Sequence, residues 1–224
     1  MTPPRMTKQE LREDPVMDVI QKGLSFGRDY GRWLALGVGA IVVIAVVVLL
    51  IVHGRRVAEI NAGAELVQSR AEVATGQWGR ARTGLESIIS QYGQTQAAGE
   101  AYTLLGDVEL ALQNPEGARV AFEEALSRVE DPTLKAGIRK GLASTYEALG
   151  QKMEASRIYE EIVGEEVSDN ALTNLMNAGR TARETGDLTR ALTLYKRAET
   201  MAEKISRNRV AEIQMTIAEI EAKM

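Results

Sequence analysis

The sequence predicts an all-α protein: one N-terminal transmembrane helix followed by an α-solenoid of about four helix pairs and a capping helix. Three observations predict it. Residues Trp33 to Val52, WLALGVGAIVVIAVVVLLIV, carry no charge. A helical motif recurs after them, starting at residues 76, 113, 150 and 186, so successive copies lie 37, 37 and 36 residues apart. The chain has 26% charged residues and no cysteine, which excludes a disulfide framework and thiol metal sites.

Residues 1–32 form the first segment. Pro3 and Pro4 disfavour order at the start, and Thr7-x-x-Glu10 has the spacing of a capping box. Asp14-Pro15 pairs an N-cap with proline at the first helical position. From there Val16, Val19, Ile20 and Leu24 share one side of a short amphipathic helix. It suits an interfacial helix leading into the span, or a docking segment for a cytoplasmic partner.

Residues 33–52 are the span. Twenty residues at ~1.5 Å each make a helix of ~30 Å, the thickness of a bilayer's hydrocarbon core. Tyr30 and Trp33 sit where amphipathic aromatics settle at the headgroups. A cleaved signal peptide has a shorter apolar region nearer the start and an Ala-x-Ala-like site after it. Here 32 residues precede the stretch and HGRRVAEI follows it, so it reads as a retained anchor. Gly31, Ala35 and Gly39 form a small-xxx-small row at its start, a pattern that lets helices pack closely in lipid.

Arg5, Lys8, Arg12, Lys22, Arg28 and Arg32 precede the span, whereas Arg55 and Arg56 follow it closely. Positive residues stay cytoplasmic. The N-terminus is therefore expected inside and residues 57–224 outside, which for a bacterial inner-membrane protein means periplasmic.

Residues 53–61 are expected to be a linker. From Gly54 onward the chain carries 21 basic and 26 acidic residues, a net of −5. An acidic domain without basic clusters argues against nucleic acid as partner, and against lying flat on anionic lipid. The repeats are read as 62–98, 99–135, 136–171 and 172–205. Their motifs are GQWGRARTGLESI, QNPEGARVAFEEA, GQKMEASRIYEEI and GDLTRALTLYKRA. Each places Ala, a large residue and a small or aliphatic one at i, i+4 and i+7, on one helical face. The triplets are Ala81/Leu85/Ile88, Ala118/Phe122/Ala125, Ala155/Tyr159/Ile162 and Ala191/Tyr195/Ala198. The small residue lets a neighbouring helix approach and the large one fills the groove beside it. Helical stretches at 101–112, 138–149 and 175–185 precede three of the motifs. Residues 206–224 close the array as one amphipathic helix with Val210, Ile213, Ile217 and Ile220 on its buried side.

These motifs resemble tetratricopeptide repeats. Tyr102, Leu105, Gly106, Ala118, Phe122 and Ala125 match that family's pattern in one unit. Leu142, Tyr146, Ala155 and Tyr159 match it in the next, and Gly179, Ala191, Tyr195 and Ala198 in the last. The period exceeds the family's 34 residues by two or three, and the first unit lacks the pattern of a first helix. The resemblance implies a protein-binding inner face on the first helix of each pair. Carried over, its positions are Glu100, Thr103, Asp107 and Leu110; Lys140, Ser144 and Glu147; then Thr173, Met176, Arg180 and Arg183. The Lys/Asn array that clamps a terminal carboxylate in some members is not recognisable.

No phosphate loop, serine elbow or metal-ligand cluster appears, and the adjacent acids Glu123-Glu124, Glu160-Glu161 and Glu165-Glu166 do not face each other on a helix. The single histidine, His53, sits at the membrane boundary, where a polar interface residue is the ordinary reading and a haem or pigment ligand the sharper one. The chain is expected to be no enzyme and to hold no cofactor or metal. Its layout is similar to that of a bacterial group that includes the ancillary SecYEG translocon subunit. That likeness implies a membrane-anchored scaffold or adaptor, chaperone-like near membrane machinery, with protein partners. The alternative is a structural subunit bracing a respiratory or photosynthetic membrane complex.

Overall fold

The computed structural model describes residues 15–163 and 168–224; ahead of residue 35, side chains are described only at Val19, Ile20, Arg32 and Trp33. The Thr7/Glu10 box, the Asp14 cap and most of the 164–169 connection lie outside the described residues. Among the described residues there are nine helices and no strand: α1 (Pro15–Ala74), α2 (Trp78–Tyr92), α3 (Gln96–Ala111), α4 (Pro115–Arg128), α5 (Pro132–Ala148), α6 (Lys152–Ile162), α7 (Asp169–Glu184), α8 (Leu188–Ile205) and α9 (Arg207–Glu221). The chain divides into two compact units, Met1–Arg56 and Val57–Met224.

The first unit holds the apolar part of α1. Its large apolar side chains from Leu36 to Val52 are all exposed, between 42% at Val52 and 67% at Leu49. Water would oppose that exposure at ~25 cal/mol per Å². The helix is long and apolar enough to cross a membrane. Val19 and Ile20 are also exposed. Residues 53–61, expected as a linker, lie within α1. No proline interrupts them, and Arg55, Arg56, Ala58, Glu59 and Ala62 are good helix formers.

The second unit is a stack of antiparallel helix pairs, with each helix from α2 to α9 packed on the next and α3 also on α5. Contacts confined to neighbours define a solenoid. The part of α1 from Val57 supplies the first helix of the first pair. Its Ala62 and Leu66 are buried with Ala81, Leu85 and Ile88 of α2 and Ala97, Ala101 and Val108 of α3. Further along, Phe122 packs with Ile138 and Leu142. Tyr159, Leu172, Leu194 and Tyr195 form the C-terminal core, which Ile213, Ile217 and Ile220 of α9 close.

Two devices repeat. The first is a turn with a left-handed residue at Gly76, Gln113, Gly150 and Gly186, with φ of 71°, 58°, 75° and 85°. These are the first residues of the four motifs. Each turn is tied by the next residue's N–H donating to a carbonyl five back, as from Asn114 to Glu109 (2.8 Å) and from Gln151 to Tyr146 (2.8 Å). The second device is a ring against a glycine. A Cβ on Gly106 or Gly141 would lie 2.6 or 2.5 Å from the Phe122 ring, and one on Gly179 would lie 2.8 Å from Tyr195. Glycine at these points lets α3 and α5 close on either side of Phe122.

Candidate partner-binding face

The first helices of the pairs begin at well-made caps. The side chains of Thr95, Asp131 and Ser168 accept from the N–H groups of Ala98, Leu134 and Ala171. Glu59 of α1 also reaches the α3 start, accepting from Gln96 (2.9 Å) and Ala97 (3.1 Å). Exposed N–H groups and the positive helix end both favour a carboxylate there.

Several residues expected on that face join one helix to the next. Glu100 of α3 accepts from Arg70 of α1. Glu147 of α5 accepts from Arg180 of α7 at 2.7 Å and from the Tyr159 hydroxyl at 2.9 Å. Arg180 also donates to Glu184 at 3.0 Å. Thr173 of α7 accepts from Arg209 of α9 (3.2 Å), and Arg183 donates to Glu219 of α9 (3.4 Å). Ser144 lies 3.2 Å from the Tyr159 hydroxyl. Leu110 and Met176 are half-buried against the core clusters. The Thr103 hydroxyl donates to the carbonyl of Gly99 (3.1 Å). Asp107 has neighbours that desolvate its carboxyl and raise its pKa. Lys140 is exposed and forms no ion pair among the described residues. In the apolar part of α1, Ala35 is exposed and Gly39 has open space around it, while the surroundings of Gly31 lie outside the described residues.

Two hollows open along this face. One, of about 280 Å³ between α3 and α5, is apolar: Leu104, Val129, Leu134 and Ile138 line it, with Glu100 and Thr103 at its rim. The other, of about 510 Å³ between α5 and α7, is lined by Lys140, Ile162, Ser168 and Asn174. Thr133 and Gly137 line both, so the hollows adjoin. Leu134 is 52% exposed. Asn174 is only 5% exposed, lines the hollow, and has no hydrogen bond among the described residues. Sequence reading missed both. Leu134 lies in the repeat read as 99–135, ahead of the helical stretch at 138–149, and Asn174 lies between the two carried-over positions Thr173 and Met176. No cluster of metal-ligating side chains occurs among the described residues. The arrangement presents apolar contact and, among the described residues, an amide and a cation without partners, which suit binding.

A family model for the tetratricopeptide repeat matches residues 66–133. That segment runs from the first pair through α4 to the start of α5. The solenoid is tetratricopeptide-like. Solved structures share the tetratricopeptide-like fold at low identity. The MamA protein is 18% identical, with a TM-score of 0.56 over 66% of this chain and 76% of that one. Pseudomonas aeruginosa PilF is 15% identical, with a TM-score of 0.55 over 76% of this chain and 70% of that one. No curated protein sequence matches the chain. Tetratricopeptide repeats are protein-interaction modules, which is the coarse function the fold carries.

Proposed function

We propose that this protein is a membrane-anchored interaction scaffold. Its apolar helix sits in the inner membrane of a bacterium and its tetratricopeptide-like solenoid holds a protein partner on the periplasmic side. The observation that carries the reading is the pair of adjoining hollows on a solenoid whose own chain bears an exposed apolar stretch from Leu36 to Val52. Leu134 offers an apolar contact and Lys140 a free charge. Arg180 and Arg183, by contrast, are occupied within the solenoid.

The test is purification of the full chain in mild detergent, with identification of what accompanies it. Leu134→Asp combined with Lys140→Glu should release the accompanying protein and leave helical content unchanged, because both side chains are on the surface. Retention of the partner by this variant would place the contact elsewhere. A single stoichiometric complex favours a brace, and many weak clients favour a chaperone-like adaptor.

A further inference from the structure

The segment of α1 within the second unit has two apolar faces. One is buried: Ala62 and Leu66 are 0% and 4% exposed. The other faces solvent and has a strict heptad rhythm. Val57, Ile60, Ala64, Val67, Ala71 and Ala74 follow one another at steps of three and four residues. Val57, Ile60 and Val67 are 42%, 71% and 64% exposed, and the three alanines are exposed too. A solenoid helix needs one apolar face, whereas a second face at positions a and d is the pattern of a coiled-coil seam.

We propose that this seam pairs with the same seam of a second copy, as a parallel two-helix contact beside the membrane. It rests on the anchored reading above, because a shared span orientation keeps two copies parallel. Charge selects that arrangement. With Val57 at position a, the g positions are Arg56, Gly63 and Arg70 and the e positions are Asn61, Gln68 and Thr75. In a parallel pair, g faces the following e of the partner, so arginine meets asparagine or threonine. In an antiparallel pair g faces g, and Arg56 would meet Arg70. The seam is short, about 27 Å over 18 residues at ~1.5 Å each. Three branched side chains and three alanines make a seam smaller than the ~1,200 Å² of a stable free-standing interface. Two copies held in one bilayer reach a high effective concentration, which offsets that shortfall.

The absence of native cysteine makes the test clean. Full-length chains bearing Ile60→Cys, Val67→Cys or, as an off-seam control, Glu65→Cys are oxidised in native membranes. The expected result is a disulfide-linked dimer forming at least ten times faster at positions 60 and 67 than at 65. Adding Val67→Glu to Ile60→Cys should suppress it, and since Val67 is exposed, that change spares the core. Equal rates at all three positions, or an adduct with the mass of a different protein, would overturn the dimer. Recovery of the chain outside the membrane fraction would instead overturn the anchored reading, and the dimer with it.

Discussion

Gln113 shows how much the repeat depends on single backbone positions. It holds φ 58° in the turn where its counterparts are Gly76, Gly150 and Gly186. An L-residue in that region costs ~1–2 kcal/mol, part of which glycine's extra freedom in the unfolded chain gives back. Gln113→Gly is therefore expected to stabilise the domain by ~0.5–1 kcal/mol, read as a higher urea midpoint at unchanged slope. Phe122 is the opposite case. It is 1% exposed, and Gly106 and Gly141 flank its ring. Phe122→Ala should destabilise by ~3–5 kcal/mol through lost burial and the cavity left behind. Gly141→Ala should destabilise by ~1–3 kcal/mol for the opposite reason, overpacking. A loss below ~1 kcal/mol for Phe122→Ala would place the ring outside the core.

At the scale of helices, ion pairs tie one repeat to the next. Glu184, near the end of α7, accepts from Lys152 of α6 (2.7 Å) and from Arg180 (3.0 Å). The Lys152 ammonium, and then the Arg180 guanidinium, hold its carboxyl below the usual glutamate range. A lowered folded-state value stabilises the fold above the unfolded glutamate value and is lost as pH falls through the folded value. The wild-type urea midpoint should thus exceed that of Glu184→Gln at neutral pH, and the two should converge below about pH 4. A gap that persists in acid would mean that packing, not charge, sets the difference. Helix starts were only partly readable. The caps at Thr95, Asp131 and Ser168 put α3, α5 and α7 five or six residues ahead of the stretches whose pattern marked them. The reason is physical: those opening turns are held by caps and by Glu59, and the core residues they do bury, Ala97, Ala98, Ala171 and Leu172, stand outside the recurring motif.

For the molecule as a whole, the proposed orientation rests on the charges flanking the apolar stretch. Six basic residues precede Trp33 and two follow closely after Val52, so the solenoid is expected outside. In intact spheroplasts, an impermeant thiol reagent should label Ser127→Cys and leave Thr7→Cys protected. The reverse pattern would invert the topology and remove the periplasmic reading. The inner face proposed from the family pattern includes charged residues that the solenoid uses internally. Glu147, Arg180 and Arg183 looked like free charges on a binding surface, and the solenoid uses them to join α5, α7 and α9.

The sequence by itself determined the apolar helix, the repeat period and the residues that fill the core. Each depends on local periodicity, which a chain carries wherever its neighbours are. Ile213, Ile217 and Ile220, for instance, could face the core on any helix that capped the array. Only the tertiary structure decided which polar residues are left over. Whether Arg180 is free or held depends on Glu147, 33 residues away, and Asn174 of α7 lines a hollow whose other wall is α5. It also decided what Glu59 meets, the N–H groups of Gln96 and Ala97 at the start of α3. Those partners are distant in sequence, and distance in sequence is what local pattern does not record.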